Sequence, residues 1–331
     1  MKILHLYPAD NQLIVDHVAM LRNKEESFTG RPDIVHVHGC WRYSIVKQAL
    51  RLYREGARIV LSPHGELEPW IVAERRLTEK MCKTLLWQRR LVEKSYVQIV
   101  HGPMEEKALK ELNWNPRIEI IRNAVITNSI TPESMLKQTN DVYRKVLDSN
   151  TIELMADDSR LLLSLLLKAG ITKAPQWVTD TIPTIPDSEW RKLLIYAHYE
   201  QVLATVDRGI SVLSLHPPYP DLNSIKSYLP TSYAMPKVES IDVIGIVSEM
   251  HHGPLTLRQF VELDRALRQD DINDEDLSDR LMDKGLYSYF QRLLQILREQ
   301  TGLDEGFLPV LPINDKRTAR LRRQLMEHLR I

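Results

Sequence analysis

Five runs near the start of the chain, 2–7, 33–38, 58–62, 97–101 and 118–121, are apolar or β-branched almost throughout and do not alternate with polar residues. Strands that read this way are buried on both faces by helices. Helical stretches lie between them. Residues 41–55 carry Val46, Ala49, Leu50 and Tyr53 at helical spacing and stop before Gly56. Residues 71–94 form a longer stretch, and 103–112 opens on Pro103, where a missing N–H costs nothing. This alternation predicts an α/β domain with a Rossmann-like parallel sheet and right-handed crossovers.

Three of the runs end on the same dipeptide: VHVHG at His38-Gly39, LSPHG at His64-Gly65 and QIVHG at His101-Gly102. In a parallel sheet all C-terminal strand ends point to one edge, and ligands bind in the crevice there. The three histidines are therefore expected along one rim. Glycine lets the backbone turn sharply and a ligand come close. The helix N-termini that follow offer free N–H groups and partial positive charge. The local alternative is that each glycine only makes a βα turn while each histidine packs in place.

The segments DIVHVHGCW, IVLSPHGELEPW, IVHGPMEEKAL and IEIIRNAVI, in that order, resemble the N-terminal, acceptor-side domain of GT-B glycosyltransferases of family 4. SPHGELEPW is the most specific part of the resemblance, which covers residues 1–127. It implies a domain that binds the acceptor, partnered by a second Rossmann-like domain for the nucleotide sugar, in the assembly of a surface polysaccharide. It implies that His64 lines the cleft beside the anomeric carbon with Gly65 giving backbone room. His38, Gly39, His101, Gly102 and Asn123 would contact ligand, and Glu66 or Glu68 would act as a base. No bound metal or other cofactor is expected of this class. Three departures stand out. LYPADNQLIVDHV follows the first strand where the family has a glycine-rich loop, the gap to DIVHVHG is short enough to lack one or more βα units, and Asn123-Ala124 replaces the usual Asn-Gly.

Beyond residue 127 the character changes. Residues 128–150 are polar and read as a linker, and 151–331 as a mainly α-helical domain. Leu154, Leu161, Leu162, Leu165 and Leu166 form an apolar face ended by Gly170, and 187–206 places Trp190, Leu193, Leu194 and Ala197 in register. Thr256 and Gln259 have capping-box spacing, and 287–298 and 318–329 complete the helical set. ISVLSL and IDVIGIVS could be strands, too few for a nucleotide domain. The pair of glutamates separated by seven residues that the family carries in its donor half is absent after residue 128, as is a glycine-rich phosphate turn.

Other clusters read as structural. Asp271, Asn273 and Glu275 alternate like a calcium loop, but Asp276 and Met282 stand where glycine and glutamate are needed, so Asn273 reads as a helix cap. His251-His252-Gly253 reads as a loop. Arg317, Arg320, Arg322, Arg323 and Arg330 interleave with leucines as a solvated helix face or, at most, a peripheral contact with anionic lipid.

Lys plus Arg and Asp plus Glu both total 44, which gives no electrostatic footprint for nucleic acid. Two cysteines, Cys40 and Cys82, argue against a disulfide framework. With no signal peptide or membrane span evident, the expectation is a cytoplasmic protein, peripheral at the inner face of the membrane at most. Two functions stay open. One is a glycosyltransferase-like protein, incomplete by itself, that takes a glycan or lipid-linked acceptor and needs a protein partner to supply the nucleotide-sugar site. The other is a non-catalytic scaffold or regulator.

Overall fold

The computed structural model describes the chain except for residues 23–29, 77–78, 150–151, 230–237, 270–271, 328 and 330–331, and the side chains of 74–76 and 79–84. Asp271 and Arg330 therefore lie outside the described residues, as does the side chain of Cys82. Two compact units emerge: Met1–Ser149 with Lys226–Tyr228, and Asn150–Ile225 with Leu229–Ile331.

The first unit is a Rossmann-like α/β domain. Its strands are β1 (Ile3–Leu6), β2 (Ile34–His38), β3 (Arg58–Ser62), β4 (Ser95–Val100) and β5 (Ile118–Ile120), all parallel and in the spatial order 1-2-3-4-5. The helices are α1 (Gln12–Leu21), α2 (Tyr43–Arg54), α3 (Pro69–Arg76), α4 (Glu79–Lys94), α5 (Pro103–Leu112) and α6 (Pro132–Ser149). Every residue of β2, β3 and β4 is buried, as unbroken apolar runs require.

The period of two along each strand sorts side chains to opposite faces. Val35, Val37, Ile59 and Leu61 pack with Val46, Ala49 and Leu52 of α2, Leu91 of α4 and Leu109 of α5. Ile34 and Val60 pack on the other face, with Leu21 of α1 and Met135, Val142 and Val146 of α6. Since the strand order never reverses, a first helix on the opposite face from the second gives the first crossover the opposite hand from the second. The expectation of uniformly right-handed crossovers is thus corrected. The described strands also contain no topological switch point. Helix α1 lies on the face that α6 also covers.

The stretch expected as a linker is corrected too. Residues 132–149 form a helix of 18 residues whose Met135, Val142, Tyr143 and Val146 are buried in the first unit. Glu133, Lys137, Gln138, Asp141 and Arg144 are exposed, which is why the sequence reads as polar, although Thr139, Asp148 and Ser149 are buried with the apolar stripe. The short segment Lys226–Tyr228 also belongs to this unit, where the Tyr228 hydroxyl donates to Glu119 at 3.0 Å.

The second unit is helical, with no strand among its described residues. Its helices are α7 (Asp157–Thr172), α8 (Asp187–Tyr199), α9 (Leu203–Val212), α10 (Val243–His252), α11 (Leu257–Leu267), α12 (Asp274–Asp283), α13 (Tyr287–Thr301) and α14 (Lys316–Glu327). Neither ISVLSL nor IDVIGIVS, read as possible strands, is a strand: the first spans the end of α9 and the turn after it, and the second runs into α10. Ile210, Val243, Ile244, Ile246 and Val247 are buried on helices, and short apolar runs of this kind are not separated from strands by periodicity alone. Residues 187–206 break into α8 and α9, and Leu161 is exposed although Leu162, Leu163, Leu165, Leu166 and Leu167 are buried. His251 and His252 end α10 rather than forming a loop. The Thr256–Gln259 capping box is formed, and Asn273 caps α12. Helices α7 and α9 touch backbone to backbone. A Cβ on Gly209 would lie 2.0 Å from the Leu166 carbonyl oxygen, and one on Gly170 2.0 Å from that of Thr205.

Candidate functional site

The face of the sheet beneath α1 and α6 holds imidazoles. Strand β2 reads I-V-H-V-H, so His36 and His38 project to one side. In register, His5 of β1 stands opposite His36, and His38 opposite Ser62. Helix α1 buries Ile14, His17, Val18 and Leu21 at spacings of three and four, which brings His17 over the strands. Its ring centroid lies 5.6 Å from that of His38 and 5.0 Å from those of His64 and His101. His64 and His101 follow the ends of β3 and β4. The three histidines that close the strands do converge, and His5, His17 and His36 join them.

Hydrogen bonds link four of these rings in series. His5 Nδ1 meets His38 Nε2 at 3.0 Å, His38 Nδ1 meets His64 Nε2 at 3.3 Å, and His64 Nδ1 meets His101 Nε2 at 3.1 Å. His101 Nδ1 ends the series on the carbonyl oxygen of Ile121 at 2.9 Å. A carbonyl only accepts, so that nitrogen carries the hydrogen. With every ring neutral, His101 Nε2 must accept from His64 Nδ1, and the same logic passes back to His5. One backbone carbonyl thus assigns the tautomer of four imidazoles. His36 stands beside the series, with Nδ1 on the Tyr143 hydroxyl at 2.5 Å and Nε2 on Ser62 Oγ at 2.8 Å.

Burial opposes charging these rings. It is the main reason that the pKa values of His5 and His17 fall from 6.5 to about 4 and that of His64 to about 2. The charge of Arg22 adds to it for His5, and repulsion between charged rings would add to it for His64 and, against the opposing effect of the Asn123 side chain, for His17. Burial also drives His36 and His38 well below the ordinary value, with His5 and His36 respectively as the next contributors. At neutral pH these five are uncharged imidazoles, suited to pass or accept a proton or to ligate a metal.

The turns carry backbone strain. His64 has φ of 54° and Trp41 of 63°, in the left-handed region that L-residues avoid. Such residues cost on the order of 1–3 kcal/mol and gather at functional sites. Gly39 (φ 76°) and Gly65 (φ 80°) meet the same demand without penalty. A Cβ on Gly39 would also lie 3.3 Å from Ile14 Cδ1. Gly102 differs: its φ of −167° is ordinary extended backbone and nothing lies within 4 Å of an added Cβ. The expectation of a glycine-dependent turn is therefore corrected at the third dipeptide.

The acids near the rim hold the turns together. Glu66 accepts from the Cys40 amide, and its carbonyl accepts from Trp41 Nε1 at 2.7 Å. Glu105, on the first turn of α5, accepts from the amides of Gly65 at 2.7 Å and His101 at 2.9 Å. Asn123 is buried, its Oδ1 accepting from the Val125 amide at 3.0 Å while its Nδ2 has no hydrogen-bond partner. His38 is wholly buried, whereas His64, Gly65, Glu66, Glu68, His101 and Gly102 are partly exposed. The latter group borders solvent at the rim, with His38 behind His64.

Sequence reading missed four of these residues. His36 was signalled by its spacing of two from His38, and His17 by its place in the 14-17-18-21 helical stripe. His5 and Glu105 had no local signal, since only strand register and the folding back of α5 bring them in.

The fold defines the class: an α/β domain with a Rossmann-like parallel sheet, here with a cluster of histidines at and beneath its C-terminal strand edge. Residues 2–129 match the family model for Glycosyltransferase Family 4, the N-terminal domain of the GT-B enzymes, and the match leaves 130–331 uncovered. No curated protein and no solved structure matches the chain.

Proposed function

We propose that the chain is a glycosyltransferase-like protein of surface polysaccharide assembly whose first unit receives the acceptor and whose sugar transfer depends on a partner chain. The observation that carries this reading is the contrast between the two parts of the sequence. Residues 2–129 match the N-terminal domain model of Glycosyltransferase Family 4, and the described residues of the second unit contain no strand on which to build a nucleotide-sugar domain. A glycan or lipid-linked acceptor would approach the strand edge where His64 and His101 are partly exposed. His64 would line the cleft, with Gly65 leaving backbone room. Glu66 would take the acceptor proton, and Glu105 would hold the two turns in place. Such a protein would work in the cytoplasm, at most peripherally at the membrane's inner face. None of its described helices is long and apolar enough to cross a membrane.

Calorimetry of the purified chain with UDP- and GDP-sugars tests the incomplete-enzyme reading. The expected result is binding weaker than micromolar, a level worth about −8 kcal/mol. Transfer should appear only when the partner is added and should fall with His64→Ala. Micromolar binding by the chain alone would overturn the reading. The alternative, a non-catalytic scaffold or regulator, is favoured by the fully buried His38 and by the missing strand reversal. It would be supported by a mixture that stays inactive or is indifferent to His64→Ala.

A further inference from the structure

Six imidazoles in one place ask more than a hydrogen-bonded series explains, and His17 is the sharpest case. It is 2% exposed, and its Nδ1 is buried without a hydrogen-bond partner. A buried polar nitrogen left unpaired is costly and rare. One ring nitrogen each from His17, His38 and His64 lie within 4.8 Å of one another. In a tetrahedral site with metal–nitrogen bonds near 2.0–2.1 Å, neighbouring ligand nitrogens sit about 3.3 Å apart. His38 Nδ1 and His64 Nε2 already stand at 3.3 Å, the longest link in the series and the one a metal would replace.

The rest of the cluster then becomes the surroundings that such a site needs. His64 Nδ1 would donate to His101 Nε2 at 3.1 Å, and His101 in turn to the Ile121 carbonyl. His38 Nε2 meets His5 Nδ1 at 3.0 Å. Partners of this kind fix ring orientation and tautomer around a metal. The other trio within range, His5, His36 and His38, fits less well. Both nitrogens of His36 are committed to Tyr143 and Ser62, and all three rings are buried. The trio with His17 includes the partly exposed His64, which supplies a route inward.

We propose that His17, His38 and His64 bind a divalent transition-metal ion of the zinc class, leaving a fourth position for water or a ligand oxygen. Three neutral imidazoles suit zinc, cobalt, nickel or copper rather than magnesium or calcium. The site stands on the geometry of these rings and does not rest on the glycosyltransferase reading. It also departs from the metal-free expectation that the family resemblance carries.

The test uses the purified full chain, stripped with a chelator and titrated with Co(II) by absorption and with Zn(II) by calorimetry. One equivalent of Co(II) should bind at micromolar affinity or tighter, give the intense visible bands of a four-coordinate ion, and be displaced by Zn(II). Nitrogen NMR of the wild-type chain should show the His17 imidazole shifting on zinc addition, a readout that needs no variant. His17→Ala and His64→Ala should each weaken binding at least about tenfold. A double change of His251 and His252 to alanine should leave it unaltered. Circular dichroism separates lost binding from lost folding, and if a variant fails to fold the wild-type NMR decides. No saturable binding, an unmoved His17 resonance, or binding abolished only by the His251/His252 change would each overturn the proposal. Since the incomplete-enzyme reading expects no tight nucleotide-sugar binding by the chain alone, a chain that takes up both zinc and a nucleotide sugar, or neither, tells the two readings apart.

Discussion

On the sheet face beneath α1 and α6, His5, His36 and His38 occupy fully interior positions of the kind that Leu163, Phe260 and Leu293 hold in the helical unit. Both units bury their interiors thoroughly, but by different physics. The helical unit is held by non-directional apolar contact, indifferent to mild changes of pH. The sheet unit has apolar contact as well, but its histidine face depends in addition on the rings staying neutral. An interior of this kind is specific, and it is vulnerable to protonation.

Acid is the strongest way to break that comparison. His5 and His17 have folded pKa values near 4 against 6.5 when free. Between those values the unfolded chain binds more protons, so stability is complete above about pH 6.5 and falls as pH drops toward 4. The loss is roughly 3 kcal/mol for each of these two rings by pH 4, at 1.36 kcal/mol per pKa unit. In the helical unit, Asp315 is held below its ordinary value by its hydrogen bonds with Arg292, and Glu299 is lowered by its hydrogen bond to Arg322 against the opposing effect of burial. The stability these two acids contribute is lost only below the ordinary carboxylate range. Hydrogen exchange read by mass spectrometry from pH 7 to 4 should show β1 to β4 loosening while α7 and α13 stay protected. Simultaneous loosening would erase the distinction.

Next comes the glycine crossing of the helical unit. Gly209→Ala drives a methyl group to 2.0 Å from the Leu166 carbonyl oxygen, and the helices must separate. A cost of about 3 kcal/mol is expected, seen as a lower urea midpoint with exchange rising in α7 and α9. The sheet unit should remain protected.

The third comparison lies within the sheet unit. Gly39→Ala forces an L-residue to φ near 76° and against Ile14, for about 2 kcal/mol. Gly102→Ala meets neither difficulty and should change stability by less than about 0.5 kcal/mol. Thermal melts of the pair check whether the repeated dipeptide is one device or two. Equal losses would mean that Gly102 has a role its backbone does not reveal.

Smallest is the cap of α11. Thr256→Ala removes the side chain that accepts from the Gln259 amide and should cost about 1 kcal/mol. Urea unfolding followed by circular dichroism measures it, with little change at any histidine resonance.

The sequence by itself determined the local events. Unbroken apolar runs specified buried parallel strands, since both faces of such a sheet are covered. Strand-ending His-Gly pairs placed His38, His64 and His101 at one edge, and Thr256–Gln259 and Asn273 marked helix starts because caps act within a few residues. The tertiary structure alone decided what depends on distant partners. It turned residues 132–149 from an apparent linker into a packed helix, because only the sheet gives its apolar stripe something to cover. It put α1 opposite α2, joined His5, His17 and His36 to the rim histidines, and set Glu105 on the two turns. Register, helix face and crossover hand are relations between segments far apart in the chain, and no local pattern of residues encodes them.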